Sequence, residues 1–132
     1  MELIEHYIRI NQLRFDESDP IDIQFSKDGD FTNTIEPVLL IPFVENAFKH
    51  GIHIFKPSYI HVKLEVIGRT LFFQVENSLH EKQRDQSLEG LERSGIGIAN
   101  VRKRLEITYP NQHSLTCKGK DDTYIVNLEI NL

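Results

Sequence analysis

The chain is short of several things, and each shortage narrows what it does. It has one cysteine, Cys117. No internal disulfide can form, a structural zinc site lacks thiol partners, and the lone thiol fits a reducing compartment. It has fewer basic than acidic residues, 15 Lys and Arg against 20 Asp and Glu, for a net charge of -5. A general nucleic-acid binder needs clustered Lys and Arg against phosphate, so the balance argues against that class. The longest apolar run, residues 38–44, falls far short of the roughly 20 residues that span a bilayer. Glu2 and Glu5 stand where a secretory leader carries positive charge. There is no G-x-S-x-G elbow, no P-loop, no internal repeat and no low-complexity tract.

What remains is a chain of 132 residues, a length that suits one domain with a core of its own. Residues 3–13 read as a helix, with Leu3, Ile4, Tyr7, Ile8, Ile10 and Leu13 on one broad apolar face. The chain begins almost inside this helix, which we read as the cut end of a longer protein. Asp19-Pro20 marks a turn, and Ile21, Ile23 and Phe25 alternate with polar residues as a half-buried strand does. A helix is expected over residues 37–50, starting near Thr34, Glu36 and Pro37 and stopping at Gly51 as a C-terminal cap. Pro42 predicts a kink in it or a late start. Residues 59–66 and 70–76 form a hairpin around Gly68, and residues 98–108 form a second helix closed by Pro110. Residues 114–117 and 123–132 form a last hairpin. Between them, residues 78–94 are polar and aperiodic. Loops longer than about 12–15 residues are uncommon in compact domains and often serve as lids, so this stretch hints at a ligand. The expected fold is α+β, with helices on one face of a mixed, largely antiparallel sheet.

Three constellations have the residue types that chemistry needs. In Glu45-Asn46-Ala47-Phe48-Lys49-His50-Gly51, the pairs Asn46/His50 and Glu45/Lys49 are each four apart on a helix. An amide oxygen suits a hard cation, a lysine meets phosphate, and a glutamate orients or deprotonates a nucleophile. An ordinary amphipathic helix also carries such pairs. Gly95-Ile96-Gly97 opens a helix, where glycines let backbone approach a phosphate and terminal amides attract anions. Flexible joints at the end of a loop look the same, and no strand abuts these glycines as a dinucleotide fold requires. Glu76-Asn77-Ser78 ends a strand beside the long loop, where a carboxylate can accept from a base amino group. A polar strand end is the plainer reading. His50 and His53 are separated by the helix-breaking Gly51, and His6 reads as a surface histidine.

In order along the chain, these segments resemble a known family. Residues 38–51 are similar to the N box of the GHKL ATPases, above all that of LytS-type sensor histidine kinases. Gly95-Ile96-Gly97-Ile98-Ala99-Asn100-Val101-Arg102-Lys103-Arg104-Leu105 resembles that family's glycine box. Residues 5–15 resemble the helix before its catalytic domain. The resemblance implies a Bergerat-type two-layer α/β sandwich that binds ATP with magnesium (Mg2+). It divides the chain into residues 1–15, the end of a helix from an upstream acceptor region, and residues 16–132, the ATP-binding domain. Asn46 would be the magnesium ligand, Glu45 and Lys49 would flank the phosphates, and His50 would line the pocket edge. Gly95, Ile96 and Gly97 would hinge the lid and face the phosphates, with Asn100 in support. Glu76 and Asn77 would lie at the adenine end, where the family carries Asp-Asn-Gly and this chain has Glu76-Asn77-Ser78. The Asn-Pro-His-Phe-like acceptor segment of such kinases has no match here.

The implied activity is protein-histidine kinase catalysis, passing the γ-phosphate of Mg-ATP to a histidine outside this chain, so that the chain alone is inactive. Implied partners are the upstream dimerisation and acceptor region and a response regulator. The whole protein would be a homodimer whose catalytic domain is cytoplasmic beneath an inner-membrane anchor. Two alternatives stand beside it: another GHKL ATPase or serine-directed kinase, and a degenerate Bergerat domain acting as a protein-interaction module.

Overall fold

Strict apolar–polar alternation shapes the sheet. A computed structural model describes residues 2–16, 18–32, 37–52, 56–79 and 96–132. The elements are α1 (Glu2–Gln12), β1 (Ile21–Asp28), a 3-10 turn (Pro37–Leu39), α2 (Ile41–Gly51), β2 (Ser58–Ile67), β3 (Thr70–Ser78), α3 (Ile96–Thr108), β4 (His113–Lys120) and β5 (Thr123–Asn131). The strands form one sheet in the order β1-β2-β3-β5-β4. β1 and β2 are parallel because α2 crosses over between them. Every other pairing is antiparallel. The α+β architecture is the one expected.

Successive strand residues point to opposite faces. One face of the sheet therefore collects Ile60, Val62 and Leu64 of β2, Leu71, Phe73 and Val75 of β3, and Tyr124, Val126, Leu128 and Ile130 of β5, all buried. α2 lays Phe43, Val44, Ala47 and Phe48 on it, and Ile98, Val101 and Leu105 of α3 with Ile4 and Ile8 of α1 complete the same core. Phe43 and Phe73 meet across the layers with ring centres 6.0 Å apart. The other face carries residues such as Gln24, His61, Gln74, Glu76, Asn127 and Glu129, and no described helix packs on it.

The late start expected at Pro42 is found, and four other local expectations are adjusted. The helix bearing Pro42 starts late: the chain first makes a 3-10 turn, and Pro42 then falls in the first helical turn, where its missing N–H has no partner to lose. Gly51 is the last residue of α2 and does not adopt the left-handed conformation of a glycine cap; Ile52 follows in extended conformation. The broad apolar face of α1 splits, with Ile4 and Ile8 in the core while Leu3, Ile10 and Leu13 are exposed. The helix expected from residue 98 begins at Ile96, and Ser78, placed in the long loop by its polarity, is the buried last residue of β3. Thr34, Glu36, His53, Gly95 and most of the expected lid lie outside the described residues. At Gly68 a two-residue turn closes the β2–β3 hairpin with φ of 62°, the backbone such tight hairpins demand at their first position.

Candidate functional site

The first and third constellations, 26 residues apart in the chain, meet where the end of α2 lands on the end of β3. Gly51 faces Asn77 so closely that a Cβ on Gly51 would sit 2.8 Å from the Asn77 Cβ. Glycine is there for close approach. Ser78 locks the junction. Its buried hydroxyl donates to the Gly51 carbonyl at 2.7 Å and accepts the Tyr59 N–H at 3.0 Å, tying α2, β2 and β3 together. The Asn77 side-chain amide donates to the Ser78 carbonyl at 2.9 Å. That bond orients the amide, whose oxygen is an acceptor by nature. Beyond Ser78 the chain still pairs: the Leu79 N–H donates to the Asp122 carbonyl at 2.7 Å, and Leu79 is buried.

Strand alternation separates the members of the triplet. Val75 and Asn77 are buried on the helix-covered face. Glu76 points the other way. Its neighbours there are Tyr59, with which it shares a hydrogen bond, and His61, its register partner on β2. The Tyr59 hydroxyl also sits 2.9 Å from the Thr123 hydroxyl. Period-two geometry thus aims the Glu76 carboxylate at the face of the sheet away from α2. Asn77 is the residue of the triplet that faces α2. The alternation Leu71, Phe73, Val75 carried that signal.

Helix geometry sorts the polar residues of α2 as well. Phe48 meets Tyr7 of α1 edge-on, with ring centres 6.3 Å apart, and the Glu45 carboxylate adds to the upward shift that burial imposes on the Tyr7 hydroxyl. Glu45 thus lies on the flank toward α1. Asn46 and His50, half-buried, lie on the other flank. Lys49 is exposed between them. The His50 Nε2 is buried and has no hydrogen-bond partner among the described residues. Burial, with the Lys49 charge beside it, pushes the His50 pKa below its ordinary value.

α3 begins at Ile96, so the backbone amides of its first turn belong to the glycine segment. Such amides lack intrahelical acceptors and form an anion site. Gly97 is in that turn and Asn100 is exposed on the next. The arrangement therefore places a half-buried amide (Asn46), an orphaned imidazole nitrogen (His50), a buried amide (Asn77) and a helix N-terminus on the helical side of the sheet. Among the described residues no group of three or more His, Cys, Asp or Glu is placed to hold a metal ion. A magnesium ion usually keeps water and phosphate oxygens and takes only one or two protein ligands. A single Asn46 oxygen fits that chemistry.

Sequence reasoning missed Tyr124. It pairs with Asn77 on the neighbouring strand and is fully buried. Burial pushes its hydroxyl far above the ordinary pKa, with Cys117 as its closest titratable influence. Only its place in the alternation Tyr124, Val126, Leu128, Ile130 marked it as an inner-face residue.

No protein-family model matches the sequence, and a search of curated proteins finds no match. Solved structures do match. The catalytic domain of histidine kinase ThkA is 18% identical, with 97% of this chain and 91% of that one covered at a TM-score of 0.60. The Acinetobacter baumannii histidine kinase AdeS is 12% identical, with 97% and 64% covered at a TM-score of 0.62. The mycobacterial sensor histidine kinase MprB is 15% identical, with 98% and 93% covered at 0.58. The chain spans nearly all of two of these chains and under two thirds of the AdeS chain. Its fold is that of histidine kinase catalytic domains.

Proposed function

We propose that this chain is the ATP-binding catalytic domain of a sensor histidine kinase, of the LytS type, that passes the γ-phosphate of ATP to a histidine outside it. The observation that carries this reading is the close approach of Gly51, at the end of the helix that bears Asn46 and His50, to Asn77, in a fold shared with histidine kinase catalytic domains. Asn77 would accept from the adenine amino group, its amide oriented by the Ser78 carbonyl. Asn46 would hold magnesium, which neutralises phosphate charge when bound. Lys49 and the first-turn amides of α3, contributed by Ile96 and Gly97, would hold the phosphates, with Gly95 before them and Asn100 in support. Glu45 would orient the acceptor, and His50, kept neutral by burial, would offer an uncharged wall beside the phosphates. Phosphoryl transfer needs positioning and charge neutralisation more than covalent help, so this set is sufficient in kind.

Residues 1–15 would join the domain to an upstream dimerisation and acceptor region, and a response regulator would receive the phosphoryl group. No helix among the described residues is long and apolar enough to cross a membrane.

Calorimetric titration with a non-hydrolysable ATP analogue, with and without magnesium, tests the reading. Binding is expected, weakened by Asn46→Ala in magnesium only, weakened by Asn77→Ala in both conditions, and unchanged by Glu76→Gln. Absence of binding at millimolar nucleotide overturns it. Acid-labile phosphate on an acceptor-histidine segment supplied in trans would separate histidine transfer from serine-directed kinase activity. The departure of Glu76-Asn77-Ser78 from Asp-Asn-Gly favours one other reading, a nucleotide-independent interaction module. Partner engagement that is equal with and without nucleotide would support it.

A further inference from the structure

Tyr124 carries a polar group that the fold does not use. Its side chain is 0% exposed, and its hydroxyl is buried with no hydrogen-bond partner among the described residues. Such a hydroxyl bears an uncompensated desolvation penalty, so an acceptor supplied from outside is favoured there.

Strand register shows what the hydroxyl faces. Gly119 stands opposite Tyr124 on β4 and has no side chain. The next β4 residue on the same face is Cys117. Cys117 pairs with Val126, which puts it diagonal to Tyr124 and within reach of an aromatic side chain. Burial pushes the Tyr124 pKa up, and the Cys117 side chain beside the hydroxyl adds to that push. β4 is an edge strand, and Cys117 packs half-buried against the core from it, so a small solute reaches the sulfur.

A thiol sulfur is a weak acceptor. One oxygen atom bonded to that sulfur changes the balance, because the oxygen of a sulfenic acid accepts a hydrogen bond from a phenol well. We propose that Cys117 is a peroxide-sensitive modification site whose sulfenic acid is held by the Tyr124 hydroxyl. The Cys117 thiolate attacks one oxygen of hydrogen peroxide. An S–O bond forms and the O–O bond breaks. Sulfur gives up two electrons, the peroxide is reduced, and the departing hydroxide takes up the thiol's proton as water. The half-buried position suits this small oxidant better than a bulky disulfide. The chain has no second cysteine, so the sulfenic acid meets no resolving thiol within it. The site stands apart from nucleotide binding, and its test needs no nucleotide.

The whole chain is treated with hydrogen peroxide, catalase then removes the oxidant, and dimedone is added after a delay to trap the sulfenic acid that persists. Peptide masses should place the adduct on Cys117, and Cys117→Ser should give none. Tyr124→Phe keeps the ring and removes only the orphaned hydroxyl, so its circular dichroism spectrum should be retained. Its adduct should fall at least about tenfold, the factor that one good hydrogen bond is worth, with sulfinic acid rising in its place. In wild-type chain treated without dimedone, the Tyr124 ring resonances should move on oxidation and return after dithiothreitol. That measurement decides by itself if Tyr124→Phe does not fold. No adduct on Cys117 in the folded chain, an equal adduct in folded Tyr124→Phe, or Tyr124 resonances that stay in place while Cys117 is oxidised overturns the proposal.

Discussion

Gly51, Asn77 and Ser78 hold the helical layer against the sheet by contact distances that leave no slack. Gly51→Ala would bring a methyl group to within 2.8 Å of the Asn77 Cβ. We expect a loss of about 1–3 kcal/mol, the usual cost of overpacking, read as a drop in the urea midpoint without change in slope. Ser78→Ala removes the donor to the Gly51 carbonyl and the acceptor for the Tyr59 N–H, and should cost about as much because two buried backbone groups lose a partner. His50 supplies a pH dependence. Its folded pKa lies below its ordinary value because burial and Lys49 disfavour the charged form. The unfolded chain therefore takes up the proton first. Stability from this residue is full above the unfolded pKa of about 6.5 and is lost as pH falls below it toward the folded pKa. Denaturation midpoints measured from pH 7.5 to 5 should fall, and His50→Gln should flatten that fall. An unchanged slope in the variant would assign the effect to other groups.

Among the elements, α2 shows how a disfavoured residue is accommodated. A proline inside a helix costs about 3 kcal/mol or more. Pro42 sits in the first turn instead, after the 3-10 turn Pro37–Leu39. Pro42→Ala should therefore change stability by less than about 1 kcal/mol, whereas Ala47→Pro, in the buried middle of the same helix, should prevent folding, as circular dichroism would record. The two faces of the sheet predict a second contrast. Phe73 is 1% exposed between α2 and the strands, and Phe72 is 37% exposed on the open face. Phe73→Ala should cost about 3–5 kcal/mol and Phe72→Ala much less, a difference that chemical denaturation measures directly.

At the scale of the whole molecule, binding and stability are linked. If nucleotide binds only the folded chain, a concentration about 100 times its dissociation constant adds about 2.7 kcal/mol of stability, which a thermal-shift assay detects. The shift should depend on Asn77 and be indifferent to Glu76. Much of this architecture was legible in the amino-acid order. Alternation marked the strands, three-four spacing marked α2 and α3, and the N-box and glycine-box segments pointed to a fold that solved structures share. Even the inward aim of Asn77 was written in the alternation Leu71, Phe73, Val75, although the charge of Glu76 drew attention first. Those signals are local, because a residue's face is set by the period of its own element. Where one element lands on another depends on side chains far apart in the chain. Only the tertiary structure decided that Gly51 meets Asn77, that Ser78 bridges α2 and β2, and that Ile4 and Ile8 claim the core while Leu3, Ile10 and Leu13 stay at the surface. A helix of this composition has apolar residues on both sides, and the sheet has room for one.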